Sequence, residues 1–384
     1  MSRLQQLIQE LCPDGVEYKK LGDICIFERG TSITKKDIIE GNIPVIAGGQ
    51  EPAYYCNQAN RIGETIVISS SGAYAGYVSY WNQPIFVSDA FTVKPQNGLL
   101  TKYLYYFLVS KQERIYSLQK AGGVPHVYSS DIALLKIPLP PLPVQQEIVR
   151  ILDTFTELIK ELNAELDARK KQYEYYRNKL LSFGDEVEWK TLEEVFDIRN
   201  GYTPSKRKAS FWSNGTIPWF RMEDIRVNGR ILSDSIQHIT PQAVKGDLFP
   251  AYSIIISTSA TIGEYALLTI DALANQRFTC LSRKDEYLKK LDMKFFYYYC
   301  SKLAEWCKNN TTLGNFPAVD MIRFRKYCFP IPPIEEQQRI VKILDKFDTL
   351  VNDPNIGIPA EIEAREKQFK YYLNKLLDFK EVSS

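Results

Sequence analysis

A long segment in the middle of the chain is repeated at its end. Residues 138–183 return as residues 330–379, and 25 of the 41 positions that align without gaps are identical. The first aligned block is offset by 192 residues, which is half of the 384-residue chain. A duplication of this quality indicates two tandem copies of one structural unit, so each feature of the unit is expected twice.

The repeated segment begins with a proline cluster and continues as a helix. Prolines between positions 138 and 143 end a predicted apolar strand (133–137; 328–331 in the second copy), because proline is not tolerated inside a helix. From Ile148 onward, apolar residues recur in alternating steps of four and three, which is a heptad seam. The pattern predicts one helix over 145–182, roughly 57 Å long at 1.5 Å per residue.

The second copy keeps this seam but carries four additional residues and two prolines in the stretch NDPNIGIP. We therefore expect this helix to break near 352–358 and to restart at Pro359. One seam alone is typical of the core of any helical bundle. Two copies, each following a large globular segment, favour an antiparallel coiled coil that the two helices share.

The segments before the two helices, 12–137 and 184–329, are faintly related. Gly30 aligns with Gly201, and Tyr105-Tyr106-Phe107 aligns with Tyr297-Tyr298-Tyr299 on a helical stretch. Strands, turns, an aromatic-rich helix and a closing strand predict an α+β domain in each half, related by a pseudo-twofold axis. The loops diverge most at 31–42 against 202–216, and at 47–63 against 221–251. Residues 4–11 resemble the end of the repeated helix and are expected near the C-terminal helix.

Motifs for catalysis are missing from the sequence. It contains no phosphate-binding glycine loop, no dinucleotide fingerprint and no amino-methyltransferase tetrapeptide. Seven scattered cysteines without a C-x-x-C pair and only two histidines argue against a zinc site and favour free thiols. An E-x-K tripeptide at 188–190 is of the type that nucleases use for metal, but such tripeptides are common by chance. These observations predict a cytoplasmic protein without catalytic residues, metal or membrane segment.

Polar side chains in the divergent loops are the candidates for DNA contact. Lysine and arginine can contact phosphates or guanine edges, and amide side chains suit adenine edges. Each residue by itself is also compatible with a solvated surface loop, but variation on a repeated scaffold indicates recognition. The predicted DNA-binding residues are Lys35, Lys36, Gln50, Asn57, Arg61, Tyr202, Lys206, Arg207, Lys208, Arg221 and Arg226.

The duplicated helices carry a family resemblance. The proline-rich strand end, the QQEIV stretch from Gln145 and the segment ARKKQYEYYR from Ala168 resemble the conserved regions of type I restriction–modification specificity subunits. The Val-Glu-Tyr/Trp-Lys-x-Leu openings and the Ile-Pro motifs resemble the target recognition domains of that family. The resemblance covers the whole chain in the family's order of domain, helix, domain and helix.

This resemblance implies four parts of the chain. They are a first target recognition domain with an N-terminal helical stub (1–143), a first long helix (144–183), a second recognition domain (184–334) and a second, broken helix (335–384). The two helices, conserved between the repeats, would pack as an antiparallel coiled coil and dock partner subunits. The predicted docking and coiled-coil residues are Gln145, Gln146, Ile148, Leu152, Phe155, Tyr173, Tyr176, Gln337, Gln338, Leu344, Phe347 and Tyr372.

The family also implies a function and a set of partners. Each recognition domain would bind one half of a bipartite, asymmetric site in double-stranded DNA, and the helices would fix the spacing. Two methyltransferase subunits would join the chain, followed by restriction and translocase subunits. The chain itself would carry no cofactor, because S-adenosylmethionine, ATP and Mg²⁺ would be bound by those partners. Two alternatives remain at this point: a coiled-coil interaction scaffold, and a stand-alone nuclease or methyltransferase.

Overall fold

The structure is a computed structural model that describes residues 2–33, 39–96, 98–120, 123–312 and 317–382. The chain forms two compact units. Unit 1 consists of Met1–Glu165 together with Pro359–Ser384, and unit 2 consists of Leu166–Ile358. Strands and helices are mixed in both units, so the predicted α+β class is confirmed.

The described part of unit 1 contains nine strands in three sheets. They are β1 (Tyr18–Lys20), β2 (Cys25–Arg29), β3 (Ile43–Ile46), β4 (Tyr54–Cys56), β5 (Glu64–Ser69), β6 (Val78–Asn82), β7 (Phe86–Val87), β8 (Ala90–Pro95) and β9 (Lys136–Pro138). The largest sheet has the order β2-β8-β5-β6, a smaller one the order β4-β3-β7, and β1 pairs with β9. The predicted strand at 133–137 is shorter and later, because residues 133–135 follow a short helix.

Five helices accompany these strands: α1 (Arg3–Leu11), α2 (Leu21–Ile24), α3 (Thr101–Ser110), α4 (Gln112–Ser117) and α5 (Ser129–Ile132). The aromatic-rich α3 packs on the largest sheet, against β5, β6 and β8. Alternate residues of a strand point to opposite faces, so Ile66 and Ile68 join the core beneath α3, whereas Val67 joins a separate cluster on the other face. The core of unit 1 therefore lies between this sheet and the helices.

The longest helix, α6 (Leu142–Leu180), has 39 residues. It begins three residues before the predicted start and includes Pro143. Proline is tolerated there because the first N–H groups of a helix have no partner within the helix. The sequence thus predicted the helix and nearly its length, but placed its start three residues and its end two residues too late.

Unit 2 repeats the same order of elements. Its strands are β10 (Glu188–Thr191), β11 (Phe196–Asn200), β12 (Ile217–Phe220), β13 (Ile231–Leu232), β14 (His238–Ile239), β15 (Ile254–Ser257), β16 (Tyr265–Leu268), β17 (Leu273–Ala274), β18 (Phe278–Arg283) and β19 (Cys328–Ile331). Its helices are α7 (Leu192–Val195), α8 (Met222–Asn228), α9 (Met293–Asn309), α10 (Met321–Arg325) and α11 (Ile334–Asn352). The sheets have the orders β11-β18-β15-β16-β13, β14-β12-β17 and β10-β19.

The repeat extends to the strand register. Tyr18 lies opposite Pro138 in the β1–β9 pair, and Trp189 lies opposite Pro330 in the β10–β19 pair. These are the residues that the sequence alignment makes equivalent. The two globular segments are therefore copies of one scaffold, although few of their side chains are identical.

The divergent segment 221–251 is not simply a loop, as its polar composition suggested. It forms the helix α8 and the strands β13 and β14. Strand β13 pairs in parallel with β16 and makes the largest sheet of unit 2 five-stranded, against four in unit 1. The two scaffolds thus differ by a folded insertion at one sheet edge.

The second repeated helix is broken as predicted. It consists of α11 and α12 (Ile358–Leu376), and α12 begins one residue before the predicted restart at Pro359. The Asp353 carboxylate accepts hydrogen bonds from the N–H groups of Asn355 and Ile356. A Cβ at Gly357 would lie 2.4 Å from the carbonyl oxygen of Thr349, so this turn requires glycine. The insertion therefore forms a compact, ordered turn.

The N-terminal helix α1 packs beside the C-terminal helix α12, as its resemblance to the end of the repeated helix predicts. Helix α1 is capped by Ser2 and buries Leu4 in the same cluster as Leu373 and Leu377 of α12. Immediately after α12, the carbonyl of Lys380 accepts a hydrogen bond from the N–H of Val16 at 2.9 Å. The prediction that residues 4–11 lie near the C-terminal helix is confirmed.

Among the described residues, no helix is long and apolar enough to cross a membrane.

Candidate nucleic-acid interface and helix surfaces

The first-half candidates for DNA contact differ in their surroundings. Lys35 and Lys36 lie outside the described residues. Gln50 is exposed between β3 and β4, and Asn57 is exposed directly after β4. Their side chains are thus accessible for contact with a partner.

Arg61 is held by its own unit. Its side chain is only 13% exposed, and its guanidinium pairs with Glu28 at 3.0 Å and donates to the carbonyls of Asn60 and Arg29. A further hydrogen bond reaches the Thr92 hydroxyl. These contacts link β2, β8 and the segment before β5. They indicate that Arg61 stabilises the scaffold, and its contact with DNA stays a prediction.

Tyr202 also has a structural role in unit 2. Its hydroxyl donates to the carbonyl of Ala243 at 3.2 Å and accepts from the N–H of Lys245 at 2.6 Å. The Trp219 indole N–H donates to the backbone carbonyl of Tyr202. The phenol ring thereby anchors the start of the basic segment that follows it.

That basic segment is exposed. Lys206, Arg207 and Lys208 lie together between β11 and β12, and the Lys208 ammonium lies 5.0 Å from the centre of the Phe211 ring. Three adjacent cations on an accessible segment give the concentration of positive charge that phosphate contact requires. Of the predicted residues, these form the clearest cationic cluster.

The structure also brings arginines together around α8. Arg221 precedes the helix and pairs with Glu223 at 2.9 Å, so its charge is partly compensated. Arg226 is exposed and lines an open cleft of about 810 Å³ together with Arg230 and Lys308. Lys308 comes from the end of α9, about eighty residues away, and no local sequence pattern indicated it.

Apolar side chains also line this cleft, among them Met222, Ile225 and Ile262. Glu264 pairs with Arg230 at 2.9 Å, which partly compensates the charge of that arginine. The cleft therefore combines apolar and cationic side chains.

The E-x-K tripeptides form ion pairs of their own. Lys190 lies 3.1 Å from Glu188, and the equivalent Lys19 lies 3.2 Å from Glu17. Within the described ranges, no group of three His, Cys, Asp or Glu side chains could hold a metal ion. The hydrogen bond to Glu188 raises the pKa of Lys190.

Gln145 and Gln337 were predicted to dock a partner, but both are fully buried within their own units. Gln145 accepts from the N–H of Leu100 and donates to the carbonyls of Gly98 and Pro140, at 2.8–3.0 Å. Gln337 makes the same three bonds with Asp292, Lys290 and Pro332, at 2.7–2.8 Å. Each amide clamps the start of α3 or α9 to the start of a repeated helix. Both amides therefore have a structural role inside their own unit.

The neighbouring glutamines behave differently. Gln146 and Gln338 are exposed, as a docking role requires. Ile148, Leu152 and Leu344 are fully buried in the cores, in agreement with their seam positions.

The helix seam is duplicated in its side-chain geometry. In unit 1, Phe155 of α6 stacks on Tyr372 of α12 with ring centres 5.4 Å apart. In unit 2, Tyr176 of α6 stacks on Phe347 of α11 at 5.8 Å, and Tyr173 packs on the same phenylalanine at 6.2 Å. The two pairs are equivalent in the repeat, because Phe155 aligns with Phe347 and Tyr176 aligns with Tyr372.

A second duplicated contact was not predicted. Asp153 of α6 accepts from Tyr106 at 2.6 Å and pairs with Lys102 at 2.7 Å. The equivalent Asp345 accepts from Tyr298 at 2.5 Å and pairs with Lys294 at 2.7 Å. Burial and the carboxylate together raise the pKa of both tyrosines, so the phenols remain protonated donors. In unit 1 these bonds connect α3 to α6, and in unit 2 they connect α9 to α11.

Comparisons with known proteins agree with this architecture. The family model described as "Type I restriction modification DNA specificity domain" matches residues 13–168 and 184–364. The chain is 35% identical to the EcoR124I/EcoR124II specificity subunit of Escherichia coli, and the match covers 99% of the chain and 97% of that protein. It is 54% identical to the EcoprrI specificity subunit of the same species, over 54% of the chain and only about half (53%) of that relative.

A solved structure shows the same fold. The S subunit of a type I restriction–modification system from M. genitalium superimposes with a TM-score of 0.59 at 19% identity. The match covers 94% of the chain and 96% of that structure.

Proposed function

The chain belongs to the type I restriction–modification DNA specificity family, and we propose that its two recognition domains each bind one half of a bipartite, asymmetric DNA target. Members of this family supply sequence specificity and leave catalysis to other subunits. The chain is accordingly a non-catalytic specificity subunit.

One observation carries the bipartite assignment. The two scaffolds share strand order and register, but they differ at the surface where DNA would bind. Among the described residues, β13 and α8 are present only in unit 2. Two equal domains with unequal loops match a DNA site whose halves differ, whereas identical domains would match a palindrome. Lys206–Lys208 and the Arg226–Lys308 cleft support the second half-site contact.

The long helices would set the spacing between half-sites. Helix α6 has 39 residues, which corresponds to about 58 Å at 1.5 Å per residue. That length equals roughly 17 base pairs at 3.4 Å each. A stiff helix of this size can keep a fixed separation along a duplex, which a flexible linker cannot do.

The partners follow from the same assignment. Two methyltransferase subunits would bind, because the repeated helices offer one surface twice, and restriction and translocase subunits would join them. S-adenosylmethionine, ATP and Mg²⁺ would be held by those subunits. The complex would act in the cytoplasm, where the target DNA is found. No observation on the described residues favours a stand-alone nuclease, since both E-x-K tripeptides are in ion pairs.

Co-expression with the methyltransferase partner tests this function. We expect methylated adenines at one bipartite motif with two unequal halves and a fixed spacer, mapped across the host genome by single-molecule sequencing. A control culture with the methyltransferase alone should show no such motif. Methylation at a continuous palindrome, or the same motif without the chain, contradicts the proposal.

A further inference from the structure

The same three segments meet at one edge of each unit. In unit 1 they are residues 47–52 after β3, residues 70–76 between β5 and β6, and residues 123–127 before α5. In unit 2 they are residues 221–230 after β12, residues 258–263 between β15 and β16, and residues 317–319 before α10. We call each set of three segments the loop edge of its unit.

Main-chain contacts hold the loop edge of unit 1 together. The N–H of Val127 donates a hydrogen bond to the carbonyl of Ser70 at 3.0 Å, which joins the second and third segments. The first segment lies against the second, because a Cβ on Gly48 would be only 2.4 Å from the carbonyl oxygen of Ser71. The three segments therefore form one continuous surface.

The loop edge of unit 2 is built in the same way. The N–H of Val319 donates to the carbonyl of Thr258 at 2.8 Å, and this bond is the counterpart of the one in unit 1. All three segments contribute to the cleft beside α8, with Arg226, Thr261 and Pro317 among its lining residues. The cleft is therefore a part of the loop edge.

The turn in the second segment is also repeated, although its residues differ. Gly72 has a φ of +89° in unit 1, and Ala260, at the equivalent position of unit 2, has a φ of +62°. Residues other than glycine rarely adopt this conformation, so the turn is kept even where alanine stands in place of glycine. The backbone of the loop edge is thus common to both units.

The side chains of the two loop edges have different chemistry. Neither lysine nor arginine occurs in the three segments of unit 1, which expose Gln50 and Tyr74 and leave His126 partly accessible. In unit 2 the exposed cations Arg226 and Lys308 line the cleft, and Lys308 is contributed by α9. An edge with amide, phenol and imidazole groups therefore corresponds to an edge with cations.

Polar groups on both loop edges are available to a ligand. The side chains of Gln50, Tyr74 and His126 make no hydrogen bond to another residue that the structure describes. In the cleft, Thr261 Oγ1 is buried and likewise has no partner among the described residues. Arg61, by contrast, uses its guanidinium within its own unit.

The available groups suit base edges in the major groove. A glutamine amide can bond to N6 and N7 of adenine, and an arginine can donate two bonds to O6 and N7 of guanine. Phosphate binding relies mainly on lysine and arginine, which the three segments of unit 1 lack. Base contact is the use that both loop edges share.

We propose that the loop edges make the base contacts of the two half-sites, with Gln50, Tyr74 and His126 in the first half-site and Arg226 and Lys308 in the second. This inference rests on the proposed function and deepens it, because it assigns the reading of each half-site to an equivalent place in each unit.

Methylation mapping of the assembled complex tests the inference. The full chain is co-expressed with the methyltransferase as Gln50→Ala, Tyr74→Phe or Arg226→Ala. We expect the first two variants to relax the base preference in the first half-site alone, and Arg226→Ala to relax it in the second half-site alone. Loss of the Gln50 or Arg226 contact should reduce discrimination against the wrong base about 5- to 150-fold.

Gln58→Ala is the matched control. Gln58 is an exposed glutamine of unit 1 that lies outside the loop edge, so its replacement should leave the motif unchanged. Thermal unfolding of all four variants should match that of the unaltered chain, because the replaced side chains are exposed.

Two results overturn the inference. One is an unchanged base preference in all three loop-edge variants. The other is an equal loss of affinity for every DNA sequence together with a weaker salt dependence, since the loop edge would then bind phosphate. In both cases the proposed function stands if the unaltered chain directs methylation to a bipartite motif, whereas a continuous palindrome contradicts that function itself.

Discussion

Replacing Gln145 with leucine should lower the free energy of unfolding of unit 1 by about 2–4 kcal/mol, because three backbone groups lose the hydrogen-bond partner that the buried amide gives them. The amide is fully buried and bonds to Leu100, Gly98 and Pro140. Leucine has a similar volume, so the loss comes from unsatisfied polar groups and not from a cavity. Urea unfolding followed by hydrogen exchange in the peptide 98–110 measures the effect within unit 1.

Gln146→Leu is the matched control. It removes the same amide one residue further along α6, at an exposed position, and should change stability by less than about 0.5 kcal/mol. Gln337→Leu should reproduce the loss in unit 2, because its three bonds are the same. Equal stability of Gln145→Leu and Gln146→Leu contradicts the clamp.

Gly30→Ala should destabilise unit 1 by about 2–3 kcal/mol or more, because its Cβ has no space. That atom would lie 2.2 Å from the carbonyl oxygen of Ser88, where the chain crosses from β7 to β8. The N–H of Gly30 also donates a hydrogen bond to the carbonyl oxygen of Ala90 at 2.8 Å. This bond connects the end of β2 to the start of β8. Backbone atoms cannot rotate away, so the crossing itself must shift. Thermal or urea unfolding of the full chain measures the loss.

Gly49→Ala controls for the general effect of a methyl group in this unit. The nearest atom to its Cβ would be the Glu51 carbonyl oxygen at 3.4 Å, an ordinary contact. We expect little change there, or a slight gain from reduced freedom of the unfolded chain. Gly201→Ala should act as Gly30→Ala does, since its Cβ would lie 2.3 Å from Ala274 and Asn275. A Gly30→Ala protein as stable as Gly49→Ala refutes the close approach.

The order of the main helices could be predicted from the sequence, because it follows from the apolar periodicity and from the internal repeat. The heptad seam predicted α6, and the prolines of NDPNIGIP predicted the break between α11 and α12 to within one residue. The sequence alignment paired Gly30 with Gly201, and the structure shows why both positions require glycine: a Cβ would meet backbone oxygens there. Because the unit occurs twice, each copy supports the structure predicted for the other.

The roles of individual side chains could not be predicted as well, because they depend on contacts with residues that are distant in the sequence. Gln145 is in a surface-like sequence context but is buried, since Leu100 and Gly98 supply its partners. Arg61 has the chemistry of a base-contacting residue, yet Glu28 and the carbonyl of Arg29 bind it. The cleft beside α8 includes Lys308 from a separate helix. None of these pairings leaves a local pattern.

The most direct measurement of the central claim is an exchange of the second recognition domain. Residues 184–329 are replaced by the corresponding domain of another member of the family, and the methylation motif of each complex is mapped in cells that express the same methyltransferase. We predict that one half of the motif changes while the other half and the spacer length stay the same. A motif that changes in both halves, or in neither, contradicts the assignment of one half-site to each domain.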